Sequence, residues 1–356
     1  MDAWHSIATF VNSASFDPEI LEIPENGCEP IVQLETTEIR VRGKDTNVPS
    51  IRVNKCTVIA TGRLIRTAAI FDEELVELAS LPESLPLIQE VRQSPLKADI
   101  LTFTQRPFGR ETIYDYPKVT DNWAIVSTTS FQHWWDKLPQ ESRKNARIAE
   151  KRGVVTRTVV FDDSFVQGIK QIYDESPNRQ GRKFWHYGKS LESVKKENAT
   201  YPDRSHFVGA YFGDRLIGFI KFVRVDNIAI LIQILATSEH RDKKPMNALL
   251  KHTMELCEKT GISTLTYGKY SYGTNQDSSL AEFKRRNGFE EIRFPRYFVP
   301  LTIWGKAAIS VGLHLGVRNM IPKPVTTFLV SARGKILKLN SHPSPKKAVK
   351  AIPPSE

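Results

Sequence analysis

Phe207-Val208-Gly209-Ala210-Tyr211-Phe212, then Gly213-Asp214, then Arg215-Leu216-Ile217-Gly218-Phe219-Ile220-Lys221-Phe222-Val223 is the stretch that decides the fold of this chain. Two apolar runs joined by Gly-Asp have the turn chemistry of a tight hairpin, because both residues tolerate the backbone a two-residue turn demands. After a second break at Asp226-Asn227 comes Ile228-Ala229-Ile230-Leu231-Ile232-Gln233-Ile234-Leu235-Ala236. A run that apolar reads as a strand covered on both faces. The basic turn Glu239-His240-Arg241-Asp242-Lys243-Lys244 follows, and Pro245 suits a first helical position. Met246, Leu249, Leu250, Thr253, Met254 and Cys257 then recur at helical spacing until Gly261. Leu265-Thr266-Tyr267 reads as a short strand, and Ser279 with Glu282 reads as the capping box of a last helix that ends at Asn287-Gly288-Phe289.

Hairpin, buried strand, basic turn, helix, strand and short helix in this order resemble the GNAT acyltransferase superfamily. The resemblance implies that the end of the buried strand and the helix N-terminus behind it hold acyl-CoA. A helix start offers free N–H groups and the positive end of the helix dipole to a pyrophosphate. The residues implied are Ile234, Leu235, Ala236, His240, Arg241, Lys243, Lys244 and Asn247. The family's usual motif is Arg/Gln-x-x-Gly-x-Gly/Ala. Here Arg241 fits the first position, while Lys244 and Met246 replace the two glycines that let backbone approach phosphate closely. The basic cluster can clamp phosphate through its side chains, and it reads equally well as a solvated turn.

A tyrosine commonly stands four residues before the last Gly-Phe pair in GNAT enzymes, and Lys284 occupies that position here. Phe283-Lys284 ahead of Gly288 instead resembles the FemAB-like branch, acyl- and aminoacyltransferases built from two GNAT-like domains. Leu138-Pro139 through Gly153-Val154 resembles the basic helix closing the first of these, and Ser176-x-x-Arg179-x-Gly181 resembles the turn opening the second. The resemblance implies a mixed α/β fold with two GNAT-like domains in tandem: an irregular segment at 1–45, a first domain at 46–157, a second at 158–300, and a basic amphipathic extension with a disordered end at 301–356. It implies acyl-CoA (acetyl-CoA) or aminoacyl-tRNA as donor, and an amine on a peptide, amino sugar or small molecule as acceptor. It also implies that Lys284 steadies the acyl carbonyl as charge grows on its oxygen, where a fixed cation lowers the barrier by several kcal/mol. Lys284-Arg285-Arg286 is also what a wet helix face looks like.

An attacking amine must lose a proton, and Glu239, His240, Tyr270, Tyr272 and Asp277 lie in the right neighbourhood with nothing in their spacing to choose among them. Glu239, Tyr270 and Tyr272 join Lys284 as the catalytic candidates. For the acceptor, the loop around Arg179, Arg182, Trp185, His186 and Tyr187 reads as a lid, with Tyr267 and Lys269 lining the site from the hydroxyl-rich loop beyond the next strand.

Eight histidines and three cysteines, Cys28, Cys56 and Cys257, show no ligand or disulfide spacing, so neither a metal nor a secreted scaffold is expected. No apolar run approaches a membrane span and no leader is evident, so a cytoplasmic protein is expected. From Leu301 onward there are nine Lys or Arg against the single acid Glu356, which places eight of the chain's ten net positive charges there. Ile303, Trp304, Ala307, Ala308, Val311 and Leu315 recur at helical spacing within it. An apolar stripe beside cations can lie on the inner face of an anionic membrane through 301–340, or pack back on the body. The nearly neutral remainder argues against DNA binding while leaving tRNA open. Two other classes stay open: a GNAT-like module that binds without catalysing, and an RNA-associated protein using the basic helix Ser142–Arg152.

Overall fold

The computed structural model describes residues 32–41, 44–105, 114–179, 181–271 and 278–315. In chain order the strands are β1 (Glu35–Val41), β2 (Lys44–Val53), β3 (Cys56–Thr61), β4 (Thr67–Ile70), β5 (Ile100–Thr104), β6 (Lys118–Ser127), β7 (Val154–Val159), the two-residue pair β8 (Asn178–Arg179) and β9 (Arg182–Lys183), β10 (Ser205–Phe212), β11 (Arg215–Val225), β12 (Ile228–Ala236), β13 (Thr264–Thr266) and β14 (Glu290–Pro300). The helices are α1 (Ser84–Gln93), α2 (Phe131–Lys137), α3 (Gln140–Lys151), α4 (Asp163–Tyr173), α5 (Leu191–Asn198), α6 (Pro245–Lys259), α7 (Ser279–Arg286) and α8 (Ile303–Ser310). The described residues up to Ile309 form one compact unit; the other begins at Ser310.

Among the described residues one mixed sheet of 12 strands runs β1-β2-β3-β4-β5-β14-β6-β13-β12-β11-β10-β7. Its second half is the unit read from the sequence. The β10–β11 hairpin turns at Gly213, whose φ of 59° only glycine adopts without cost. Pro245 stands at the first turn of α6, which buries Leu249, Leu250, Met254 and Cys257 against Ile217, Ile220, Phe222, Leu231 and Ile234. Each such side chain contributes about 1.5–3 kcal/mol of burial. The two halves interlock through strands that cross between them. β14, from the C-terminal side, pairs with both β5 and β6, and β6 in turn lies beside β13.

Three expectations change. The segment 1–45, expected to be irregular, contributes β1 and the start of β2. In β1, Ile39 is buried while Glu35 and Thr36 are exposed, a weakly apolar edge strand that composition hides. Asp72–Leu81 forms two short 3₁₀ turns, Glu73–Leu75 and Leu78–Ser80. The last helix is capped one residue earlier than expected: the Ser278 hydroxyl accepts the Ala281 N–H, and Glu282 pairs with Arg285 and Arg286. β7 spans the boundary expected at 157/158 and pairs with β10.

Candidate active site

The parallel pairing of β12 with β13 covers Ile228↔Thr264, Ala229↔Leu265 and Ile230↔Thr266 and stops there. Pairing of β12 with β11 continues to Gly218↔Ala236. From Leu231 to Ala236, therefore, β12 has a strand partner on one side only among the described residues, and a crease opens where β13 has left. The cause lies in the loop after β13, which turns onto β6. The Tyr267 N–H donates to the Ala124 carbonyl at 2.9 Å, the Ala124 N–H to Gly268 at 2.8 Å, and the Ser271 N–H to Asn122 Oδ1 at 3.0 Å. On the other side, β12 carries a bulge: Lys221 faces Gln233 and Phe222 faces Leu231, leaving Ile232 as the extra residue.

Backbone direction in the crease follows from one hydrogen bond. The Thr237 N–H donates to the Ile217 carbonyl at 2.8 Å, which makes that pair hydrogen-bonded. Antiparallel alternation then turns the N–H and C=O of Ala236 and Ile234 away from β11, toward the crease. An extended amide chain laid there would meet them as a further strand does.

Behind β12, the turn Arg241–Lys243 leads to Lys244 at φ 56° and ψ 40°. The residue aligned with the family's first glycine thus adopts the left-handed backbone a glycine would supply, at a cost of roughly 1 kcal/mol for a side chain. Lys244→Gly is expected to raise or preserve stability by up to about 1 kcal/mol, and Lys244→Val to lower it by at least as much, because a β-branched residue fits that region worst. Thermal denaturation of the two variants checks this. Around the turn, Arg241 is exposed, the Lys243 ammonium lies 4.2 Å from the Phe212 ring centre, and the Asn247 N–H is bonded to the Lys244 carbonyl at 3.1 Å. His240 is buried, 3.1 Å from the Thr237 hydroxyl through Nδ1. Glu239 is exposed and paired with Arg215 at 2.9 Å.

Lys284 sits at the β13 side. It is fully buried on α7 and donates from Nζ to the Lys269 carbonyl at 2.6 Å, with the ammonium 4.6 Å from the Tyr267 ring centre. Burial pushes its pKa down to about 8. The helix that presents it is pinned at its far end, where Trp134 Nε1 donates to the Asn287 carbonyl at 3.1 Å and the Ser142 hydroxyl to that of Arg286 at 2.6 Å. So α2 and α3, at the close of the first half, fix the lysine of the second. A second buried lysine, Lys221, has a different task. Its Nζ donates to the carbonyls of Asn198 and Thr200 and to the Thr200 hydroxyl, tying the end of α5 to β11, and burial lowers its pKa to about 7.

The other candidates are distributed as follows. Tyr267 packs under the Lys284 ammonium and against Phe283 and Phe289. Tyr270 is half-buried beside the same core. Tyr272 and Asp277 lie outside the described residues, as does the Arg182 side chain. Lys269 turns to Asp121 at 2.9 Å; burial would raise that carboxyl, but Lys269 and Arg296 outweigh it and hold the group below its ordinary range. In the lid, Tyr187 is exposed, while Trp185 stacks with Lys189 and Arg40. His186 is buried against Tyr173, 3.7 Å from Glu197 and 3.5 Å from the Gln233 amide at the bulge. Desolvation lowers its pKa, although Glu197 opposes the shift. Glu197 itself is bound by Lys189 at 2.6 Å and by Arg40. Arg179 is half-buried and anchors the lid. Sequence reading missed Arg40, Gln233, Glu175 and Glu197, none of which carries a local signal.

These features fit an acyl-CoA donor: cations at a left-handed turn before a helix for phosphate, a strand edge facing a crease for an amide chain, and an ammonium at the far wall for a carbonyl. Among the described residues no cluster of three or more His, Cys, Asp or Glu could hold a metal.

Residues 167–289 match the model of the acetyltransferase (GNAT) family. The crystal structure of FemX superposes with a TM-score of 0.50 at 10% identity, over 74% of this chain and 88% of that one. The structure of L-PGS from Bacillus licheniformis is more distant in shape, at TM-score 0.46, 14% identity and coverage of 74% and 85%. PaiA N-acetyltransferase from Thermoplasma acidophilum, solved with coenzyme A, matches over 41% of this chain and 99% of its own, at 20% identity and TM-score 0.29. No curated protein matches the sequence. Residues 167–289 are thus a domain of the acetyltransferase (GNAT) family. The fold is one the chain shares with FemX.

Proposed function

We propose that this protein transfers an activated acyl or aminoacyl group, from acyl-CoA or an aminoacyl-tRNA, to an amine in the crease between β12 and β13. The observation that carries the reading is the buried Lys284 ammonium beside the β13 exit, at the wall opposite an open strand edge. Ile234 and Ala236 orient the donor through backbone, and Arg241, Lys243 and Lys244 hold its phosphates. A CoA thioester, when bound, supplies the activated carbonyl. Lys284 then holds the negative charge that grows on the carbonyl oxygen; away from water, a positioned cation is worth several kcal/mol there. The lid with Tyr187 and Trp185 shapes the acceptor side.

Peripheral contact with an anionic membrane is part of the proposal. On α8, Gly305 and Ala308 face the core while Ile303 and Trp304 are 87% and 74% exposed, and the basic residues of the tail follow in sequence. No helix among the described residues is long and apolar enough to cross a membrane. One binding panel tests all of this: thermal shifts with acetyl-CoA, longer acyl-CoAs, aminoacyl-tRNA and nucleotide sugars, plus sedimentation with vesicles of anionic or neutral lipid. A shift with an acyl donor and retention on anionic vesicles are expected. A shift with nucleotide sugar alone overturns the donor assignment, and equal behaviour toward both vesicles overturns the membrane contact.

A further inference from the structure

Glu175 and Arg179 lie between α4 and the lid, yet their polar atoms converge on the end of β12. The carboxylate of Glu175 accepts the N–H of Ser238 on Oε2 and of Glu239 on Oε1, both at 2.8 Å. These residues lie just beyond β12. Arg179 Nη2 reaches the same carboxylate at 3.1 Å and the Ile172 carbonyl at 2.9 Å. Its Nη1 donates to the Ala236 carbonyl at 2.9 Å, and the guanidinium lies 4.6 Å from the Phe184 ring centre. The pair is largely buried, with side chains 14% and 16% exposed.

We infer that Glu175 and Arg179 are a positioning pair for the donor site, holding the free end of β12 where Ile234 and Ala236 face the crease. The physical need is plain. Past Ile230 the strand is paired with β11 alone among the described residues, and the bulge at Ile232 interrupts even that ladder. A strand end held on one side frays more readily than one inside a sheet. Four charge-assisted hydrogen bonds close the gap: two N–H groups into Glu175, one carbonyl onto Arg179, and the ion pair between them. Because Arg179 Nη1 takes the Ala236 carbonyl, the donor is left the Ala236 N–H and both groups of Ile234. Arg179 also opens the lid, its backbone pairing with that of Arg182, so lid and donor edge share one support. Arginine suits this post because its planar fork reaches two carbonyls and a carboxylate at once, which a lysine cannot do.

The kinetic part of this inference rests on the acyl-transfer reading; the structural part does not. In the full-length protein, amide-resolved hydrogen exchange and acetyl-CoA titration are measured for wild type, Glu175→Ala, Glu175→Gln and Arg179→Lys. Exchange at Ser238 and Glu239 is expected to quicken at least roughly tenfold in Glu175→Ala with β11 unchanged, and acetyl-CoA affinity to fall about tenfold. Glu175→Gln, which keeps one acceptor oxygen, should recover part of both. Unchanged exchange at the two amides overturns the inference, as does unchanged acetyl-CoA affinity in a variant whose exchange has risen. If wild type does not bind acetyl-CoA, the CoA reading fails and the exchange result alone decides the pairing.

Discussion

Lys284→Met is expected to lower turnover by about 10²–10³-fold while leaving the fold as stable as wild type at pH 7, or more so. The two halves of that expectation have one cause. Burial lowers the Lys284 pKa from 10.5 to about 8, so the folded protein disfavours the ammonium. Between pH 8 and 10.5 the unfolded chain binds the extra proton, and stability rises with pH over that window, by up to about 3 kcal/mol in all. Methionine fills nearly the same volume without a charge to desolvate. It forfeits the bond to the Lys269 carbonyl, a loss of about 1–3 kcal/mol that offsets much of the gain. Turnover depends on the ammonium, so wild-type activity should fall as pH rises through about 8, and the basic limb should vanish in the variant. A wild-type rate in Lys284→Met removes this residue from the mechanism. A collapse in melting temperature shows that it is structural instead.

The second large effect concerns the turn in front of α6. Replacing Arg241 by Ala and Lys244 by Gly removes two cations while preserving the left-handed turn, since glycine adopts φ 56° at no cost. Donor affinity is expected to fall about 30–1,000-fold, on the basis of roughly 1–2 kcal/mol for each of the two partly solvated charge-assisted contacts. The remaining binding should also respond less to salt, because screened phosphate contacts are what was lost. Turnover at saturating donor should change little. Titration at two ionic strengths checks both; undiminished affinity would reduce the turn to solvated surface.

Most of the second half was legible because its signals are local. Gly213-Asp214 marks a hairpin, the unbroken run Ile228–Ala236 a covered strand, Pro245 a helix start and Gly261 its stop. Lys284 was reached by family position, and burial then separated it from Arg285 and Arg286, which spacing alone could not do. What stayed hidden depends on tertiary partners. Nothing in the residue type announces that Lys244 is left-handed. Lys269 was expected in the site but pairs with Asp121, about 150 residues earlier in the chain. Glu175 finds its partners at Ser238 and Glu239, and Arg40 of β1 reaches the lid from the far end of the sheet order. Pairing of β14 with β5 and β6 is likewise invisible to periodicity, which gives a strand but not its neighbours.

The central claim is that the parted edge of β12 receives the donor. Amide-resolved exchange with and without saturating donor tests it most directly. The account predicts slowed exchange at Ile234 and Ala236, the two amides turned toward the crease. A donor that raises the melting temperature while leaving both amides unprotected would contradict it.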